Sequence, residues 1–133
     1  MGIFDFFGKK PVATDSEYVL ECNFHPFRLS ARRNDAVDLE ITLKNNSDTV
    51  LLTSLVVVVP KQLGLDKTGL MLQREFRLGE LNPGETKYFT VPIHSTPKSE
   101  PNNYPVKVFA ISNYRDYGHV LNQVRKDLSL RVE

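Results

Sequence analysis

Residues 37–44 place the strongest constraint on how this chain can fold. Val37, Leu39, Ile41 and Leu43 are apolar, and Asp38, Glu40, Thr42 and Lys44 between them are polar. Side chains of a strand point alternately to its two faces, so one strand puts all four apolar residues on one side. On a helix the same residues would be spread around the whole circumference. A strand with one apolar face needs a second layer to bury it, and several such strands confine a chain to packed or closed sheets.

The alternation recurs. Tyr18, Leu20, Cys22 and Phe24 share one parity, His25-Pro26 interrupts it, and Phe27-Arg28-Leu29 resumes at a sheet edge. Val50 to Val59 is a β-branched run that predicts a strand covered on both faces, ended by Pro60. Met71 to Leu78 predicts a weaker strand with Phe76 and Leu78 on one face. Phe89, Val91 and Ile93 predict another, as do Tyr104, Val106, Val108 and Ala110, and Leu128, Leu130 and Val132 predict the last. Between them lie Asn45-Asn46-Ser47-Asp48, a turn cluster, and Asn82-Pro83-Gly84-Glu85, in which Pro83 presets φ and Gly84 accepts the positive φ of a type II turn. Lys61 to Gly69 and Ser95 to Asn103 read as irregular, and Asn113 to Asp127 as a long connection with a helical turn near Val120–Arg125. About seven strands separated by turn residues, with no helix long enough for a βαβ crossover, predict an all-β fold, an immunoglobulin-like antiparallel β-sandwich.

Several stretches carry a family resemblance: Val37 to Asp48, Val56-Val57-Val58-Val59-Pro60, Leu78-Gly79-Glu80-Leu81-Asn82-Pro83-Gly84-Glu85-Thr86, and a strand holding Val91-Pro92-Ile93. Together they resemble the prokaryotic CARDB-type immunoglobulin-like sandwich, in which a strand ending in Lys-Asn precedes a turn and a Leu-x-Pro-Gly-Glu-Thr stretch joins two later strands. The arrestin-like sandwiches are similar more distantly. The resemblance covers roughly residues 18–133 and implies a binding module. The intersheet disulfide and buried Trp of antibody domains are missing, since the chain has one cysteine and no tryptophan. Tyr104, opening the penultimate strand, suits a tyrosine corner.

Composition narrows the function. With 133 residues the chain can bury one core without staples, and 17 basic against 16 acidic residues leave a net charge of +1. A dedicated nucleic-acid binder would carry a basic excess, so nucleic acid is not an expected partner. A single cysteine forms no internal disulfide and favours a cytoplasmic protein. No run approaches the roughly 20 apolar residues of a membrane helix. Met1 to Lys10 lacks the order of a signal peptide, and Phe6 stands where a myristoylation motif needs Ser or Thr.

Neither metal nor catalysis is expected. Cys22 and His25 have a ligand-like spacing but no second ligand pair, and His94-Ser95 lacks any nucleophile-elbow context. No cofactor motif is present. The expectation is therefore a non-enzymatic interaction module with an unknown protein partner.

The chain divides into an apolar arm and linker, residues 1–17, and the sandwich, residues 18–133. In the arm, Ile3, Phe6 and Phe7 share a helical face, Phe4 lies to one side, and Lys9-Lys10 follow. These four apolar residues are the expected partner contacts. They can instead cover the sandwich or swap onto a second copy as a homo-oligomer, and the alternative function is weak anchoring of a structural protein at the membrane periphery. Further candidates are Phe109 and Ile111, on the parity opposite the core, and Tyr114, Arg115, Tyr117 and His119 in an end loop. Protein docking predicts that the full chain fails to float with anionic vesicles. Flotation that is lost on Phe4→Ala/Phe7→Ala would assign the arm to membrane instead.

Overall fold

The computed structural model describes residues 17–31 and 35–133. Among the described residues nine strands are present: β1 (Tyr18–His25), β2 (Arg28–Leu29), β3 (Ala36–Asn45), β4 (Leu51–Val58), β5 (Leu63–Gly64), β6 (Gln73–Leu81), β7 (Thr86–Ser95), β8 (Asn102–Asn113) and β9 (Val120–Val132). Seven are long and two are two-residue pieces, so the sandwich expected from the alternation is the fold observed. One sheet has the order β1-β3-β7-β5, the other β2-β9-β8-β4-β6.

The inner faces are those the period-two reading selects. Val37, Leu39, Ile41 and Leu43 of β3 are buried against Leu55 and Val57 of β4 and Val106, Val108 and Ala110 of β8 in one core cluster. Burial on this scale, about 1.5–3 kcal/mol per large side chain, is what holds the two layers together.

Asn45 joins the two layers at one end of that core. It is fully buried at the end of β3, yet every polar atom of its side chain is engaged. Its Nδ2 donates to the carbonyls of Thr49 and Leu81, both at 2.8 Å, and its Oδ1 accepts from the Ser47 amide at 2.9 Å and the Ser47 hydroxyl at 2.7 Å. Its amide donates to the Glu85 carbonyl and its carbonyl accepts from the Gly84 amide. One residue thus ties the β3–β4 turn to the β6–β7 turn. The second turn has the expected geometry: Gly84 sits at φ 78°, and the Glu85 amide donates to the Asn82 carbonyl.

Tyr104 makes the corner its position suggests, its hydroxyl donating to the Glu100 carbonyl at 2.8 Å and accepting from the Glu100 amide at 3.2 Å. Tyr18 bridges the sheets, its hydroxyl 2.8 Å from Thr53 Oγ1. Burial pushes its phenol up to about 12, against the hydrogen bond to Thr53, which lowers it.

Three expectations are corrected. The residues Val120–Arg125 form no helical turn; they are the first half of β9, held in an antiparallel ladder to β8. The connection read as Asn113–Asp127 therefore shrinks to Tyr114–His119. The sandwich is also not wholly antiparallel. After Pro26 the chain crosses to the other sheet, and β2 pairs parallel with the end of β9 through Arg28↔Arg131 and Leu29↔Val132.

Asn45→Ala leaves several buried polar groups without partners and is expected to cost about 2–4 kcal/mol in chemical denaturation, with loss of protection at both turns. Tyr18 sets an alkaline limit. Its folded value lies above the usual 10, so its stabilising preference for the neutral phenol is complete below pH 10 and is lost as pH rises through about 12. Tyr18→Phe is expected to flatten that fall in stability.

Candidate functional site

The outer faces of the two sheets differ in chemistry. On the first sheet, outward positions are polar: Glu21 and Asn23 of β1, Glu40 and Thr42 of β3, and Tyr88 and Thr90 of β7 line a shallow depression. Tyr88, at 77%, and Val19 of β1, at 39%, are exposed apolar side chains on this face.

On the second sheet, the outward positions of the central strands carry five apolar residues among Ser54, Lys107 and Asn113. In β4 the inward residues are Leu51, Thr53, Leu55 and Val57, which leaves Leu52, Val56 and Val58 outward and half-buried. In β8 the inward residues are Tyr104, Val106, Val108 and Ala110, which leaves Phe109 and Ile111 outward and half-buried. The register sets these side by side: Val56 opposes Phe109, and Ser54 opposes Ile111. Val56 and Phe109 are directly paired, Val58 is diagonal to Phe109 and Ile111 is diagonal to Leu52 and Val56, within reach of large side chains, so the five form one strip beside Asn113 and Lys107. At one end Asn113 is opposed by Val120, and a bulge there leaves Val120 and Leu121 exposed at 59% and 60%.

The rim of this strip is charged but locally neutral. On β6, Arg77 Nε lies 3.4 Å from Glu75, and on β9 an Arg125 nitrogen lies 3.1 Å from Asp127. Exposed pairs of this kind add little stability. Lys107, opposite Val58 and Asp127, adds a further cation to this face.

The end loop Tyr114–His119 divides into anchored and exposed parts. Tyr117 reaches over β4 to β6, where its hydroxyl accepts from the Gly79 amide at 2.8 Å and the Arg77 guanidinium lies 4.9 Å above its ring. Gly79, at φ 76°, belongs to an irregularity in the β4–β6 ladder, and the phenol supplies an acceptor for its amide. Tyr117 is thus held by the fold. Arg115 adopts φ 68°, with its guanidinium 5.0 Å above the Tyr114 ring. His119 Nδ1 lies 2.8 Å from Asp116 Oδ1, and hydrogen bonds from His119 and the Gly118 amide hold the Asp116 carboxyl below its usual range.

The remaining candidates do not converge. Cys22 points inward and is half-buried, while His25 is outward and exposed, so they cannot share an ion. Burial pushes the Cys22 thiol up to about 11, partly offset by Lys126. Ser95 points inward, and its hydroxyl accepts from the Asp35 amide at 3.0 Å, while His94 lies on the other face. Among the described residues no group of His, Cys, Asp and Glu side chains is arranged to hold a metal ion. Ile3, Phe4, Phe6 and Phe7 lie outside the described residues. Sequence reasoning missed Leu52, Val56 and Val58 as partners of Phe109 and Ile111; their signal was the apolar content of both parities in Val50–Val59.

No family model and no curated protein matches this sequence. Solved structures do resemble it. A CARDB domain from Pyrococcus furiosus, in complex with di-metal ions, aligns at TM-score 0.57 and 16% identity, covering 87% of each chain. The fold is that of a CARDB-type immunoglobulin-like sandwich. The same CARDB-like architecture matches a fragment of Escherichia coli alpha-2-macroglobulin at TM-score 0.64 and 16% identity, over 87% of this chain. The chain spans only 16% of that fragment. AvmM, which catalyses macrocyclisation in alchivemycin A biosynthesis, aligns at TM-score 0.59 and 8% identity, over 89% of both chains. Identities this low carry the fold of the CARDB-like domain and not an activity.

The raised Cys22 thiol predicts alkylation by iodoacetamide at pH 8 about a hundredfold slower than that of a free cysteine peptide. A rate equal to the peptide's would show that the thiol is not buried as described.

Proposed function

We propose that this CARDB-like domain is a non-enzymatic protein-interaction module of the cytosol, and that it binds a protein partner with an apolar surface through the outer face of the β4–β8 pair. The observation that supports this reading is the strip formed by Leu52, Val56, Val58, Phe109 and Ile111. Solvent-facing positions of a sheet are ordinarily polar, as they are on the first sheet, whereas an apolar patch rimmed by charge is the composition of a protein interface. Two of the cations on this face, Arg77 and Arg125, are already paired with carboxylates, which favours an apolar partner over a nucleic acid. The match to a small part of alpha-2-macroglobulin is consistent with a sandwich that works as a module.

A photo-crosslinking residue at Arg125, which opposes Phe109, is expected to capture a defined protein in cells. The same group at Glu40, on the outer face of the first sheet, is expected not to. Phe109→Asp should reduce capture from Arg125 at least tenfold while the melting temperature moves by only a few degrees. Equal capture from both faces, or capture unaffected by Phe109→Asp, would overturn the assignment.

A further inference from the structure

We propose that the partner received by the β4–β8 strip is a second copy of this chain, so that the domain pairs with itself face to face about a two-fold axis. This rests on the interaction reading above and names its partner.

The register lays the outer face out as a grid. Val58, Val56, Ser54 and Leu52 run down β4, and Lys107, Phe109, Ile111 and Asn113 run down β8 beside them. On the β6 side, Glu75 opposes Val56 and Arg77 opposes Ser54. On the β9 side, Arg125 opposes Phe109 and Gln123 opposes Ile111. When two such faces meet, the two-fold axis lies in the plane between them, and each position meets its reflection about that axis.

One axis suits the chemistry. It crosses the strands midway between Val56 and Ser54, so each strand faces its own copy running antiparallel. On β8, Phe109 then meets Ile111 of the second copy, and on β4 Val58 meets Leu52. On β6, Glu75 meets Arg77 of the second copy, twice by symmetry. On β9, Arg125 meets Gln123. None of these contacts opposes like charges. An axis through the Val56–Phe109 row would instead set Glu75 against Glu75 and Arg125 against Arg125. An axis along the strands would set Val58 against Lys107.

Shape selects the same axis. Asn113 is outward by parity yet buried, and Tyr117 spans β4 beside it to reach the Gly79 amide, so this end of the face is raised. At the other end Lys107 is exposed. The axis across the strands seats the raised end of each copy on the open end of the other, whereas the axis along the strands would press loop against loop. Strands about 4.8 Å apart, with outward residues about 6.8 Å apart along each, make this four-stranded face roughly 500 Å². About 1,000 Å² over both copies reaches the size of a specific, reversible interface.

Sedimentation of the full chain is expected to show a reversible dimer at micromolar concentration. Phe109→Asp should raise its dissociation constant at least tenfold. Glu75→Arg and Arg77→Glu should each weaken self-association several-fold, and an equal mixture of the two variant chains should restore it as a heterodimer. Restoration reads the contact between copies, because within either chain the pair of Glu75 with Arg77 stays broken. A chain that stays monomeric, a dimer indifferent to Phe109→Asp, or a mixture no tighter than its components would overturn the proposal. Photo-capture from Arg125 separates it from the function it rests on. Capture of a second copy supports both. A monomeric chain that captures a different protein would retain the interaction function and overturn self-pairing, and a monomer that captures nothing would overturn both.

Discussion

The sandwich depends on a buried amide. Asn45 sits where β3 leaves the core, and its side chain and backbone together make six hydrogen bonds to the two turns that flank it. The apolar core is non-directional and would tolerate the layers sliding past one another. The amide is directional, and its partners fix how β4 and β6 of one sheet sit against β3 and β7 of the other. The stretches that carry the CARDB resemblance, Lys44-Asn45 and Leu81 to Glu85, are the ones it connects. The resemblance and the structural joint are the same set of residues.

With the layers fixed, the placement of β4 follows. It lies between β6 and β8, so its outward side chains fall in the middle of a face and not at an edge. A β-branched run at that position makes the middle of the second sheet apolar on both sides. The charged residues of the flanking β6 and β9 restrain aggregation without covering the centre. That division, apolar centre and charged margin, is what distinguishes this face from the polar one opposite.

Much of the fold was legible because its signals are local. Alternation marked β3, β7 and β8, the Pro-Gly pair marked the turn before Thr86, and Tyr104 announced its corner. The first half of β9 was not legible. Its bulge at Leu121 breaks the period, and Asn122 and Lys126 occupy the core-side parity near the open edge of the sandwich, where water reaches them. The two-residue β5 gave no period, whereas β2 falls in the stretch read as resuming at a sheet edge; both exist because tertiary neighbours supply hydrogen-bond partners. The candidate surface was half legible. Phe109 and Ile111 stood out by parity, but their neighbours Leu52, Val56 and Val58 come from a strand some 50 residues away, and cross-strand register is a long-range property. Tyr117 looked like a free loop aromatic because nothing local reveals the unpaired amide at Gly79 that engages it.

The positions of Glu17 and Glu133 have a mechanical meaning. Glu17 is held at the end of the sandwich that carries the Asn45 joint, whereas Glu133 is fastened at the far end, where its amide donates to the Leu29 carbonyl and its carbonyl accepts from the Ala31 amide. A pull between them runs along the strands. It must slide β1 past β3 and β9 past β8, breaking many ladder hydrogen bonds together, instead of unzipping them one by one. A load applied at these two points is therefore borne by the β1–β3 and β8–β9 ladders in shear.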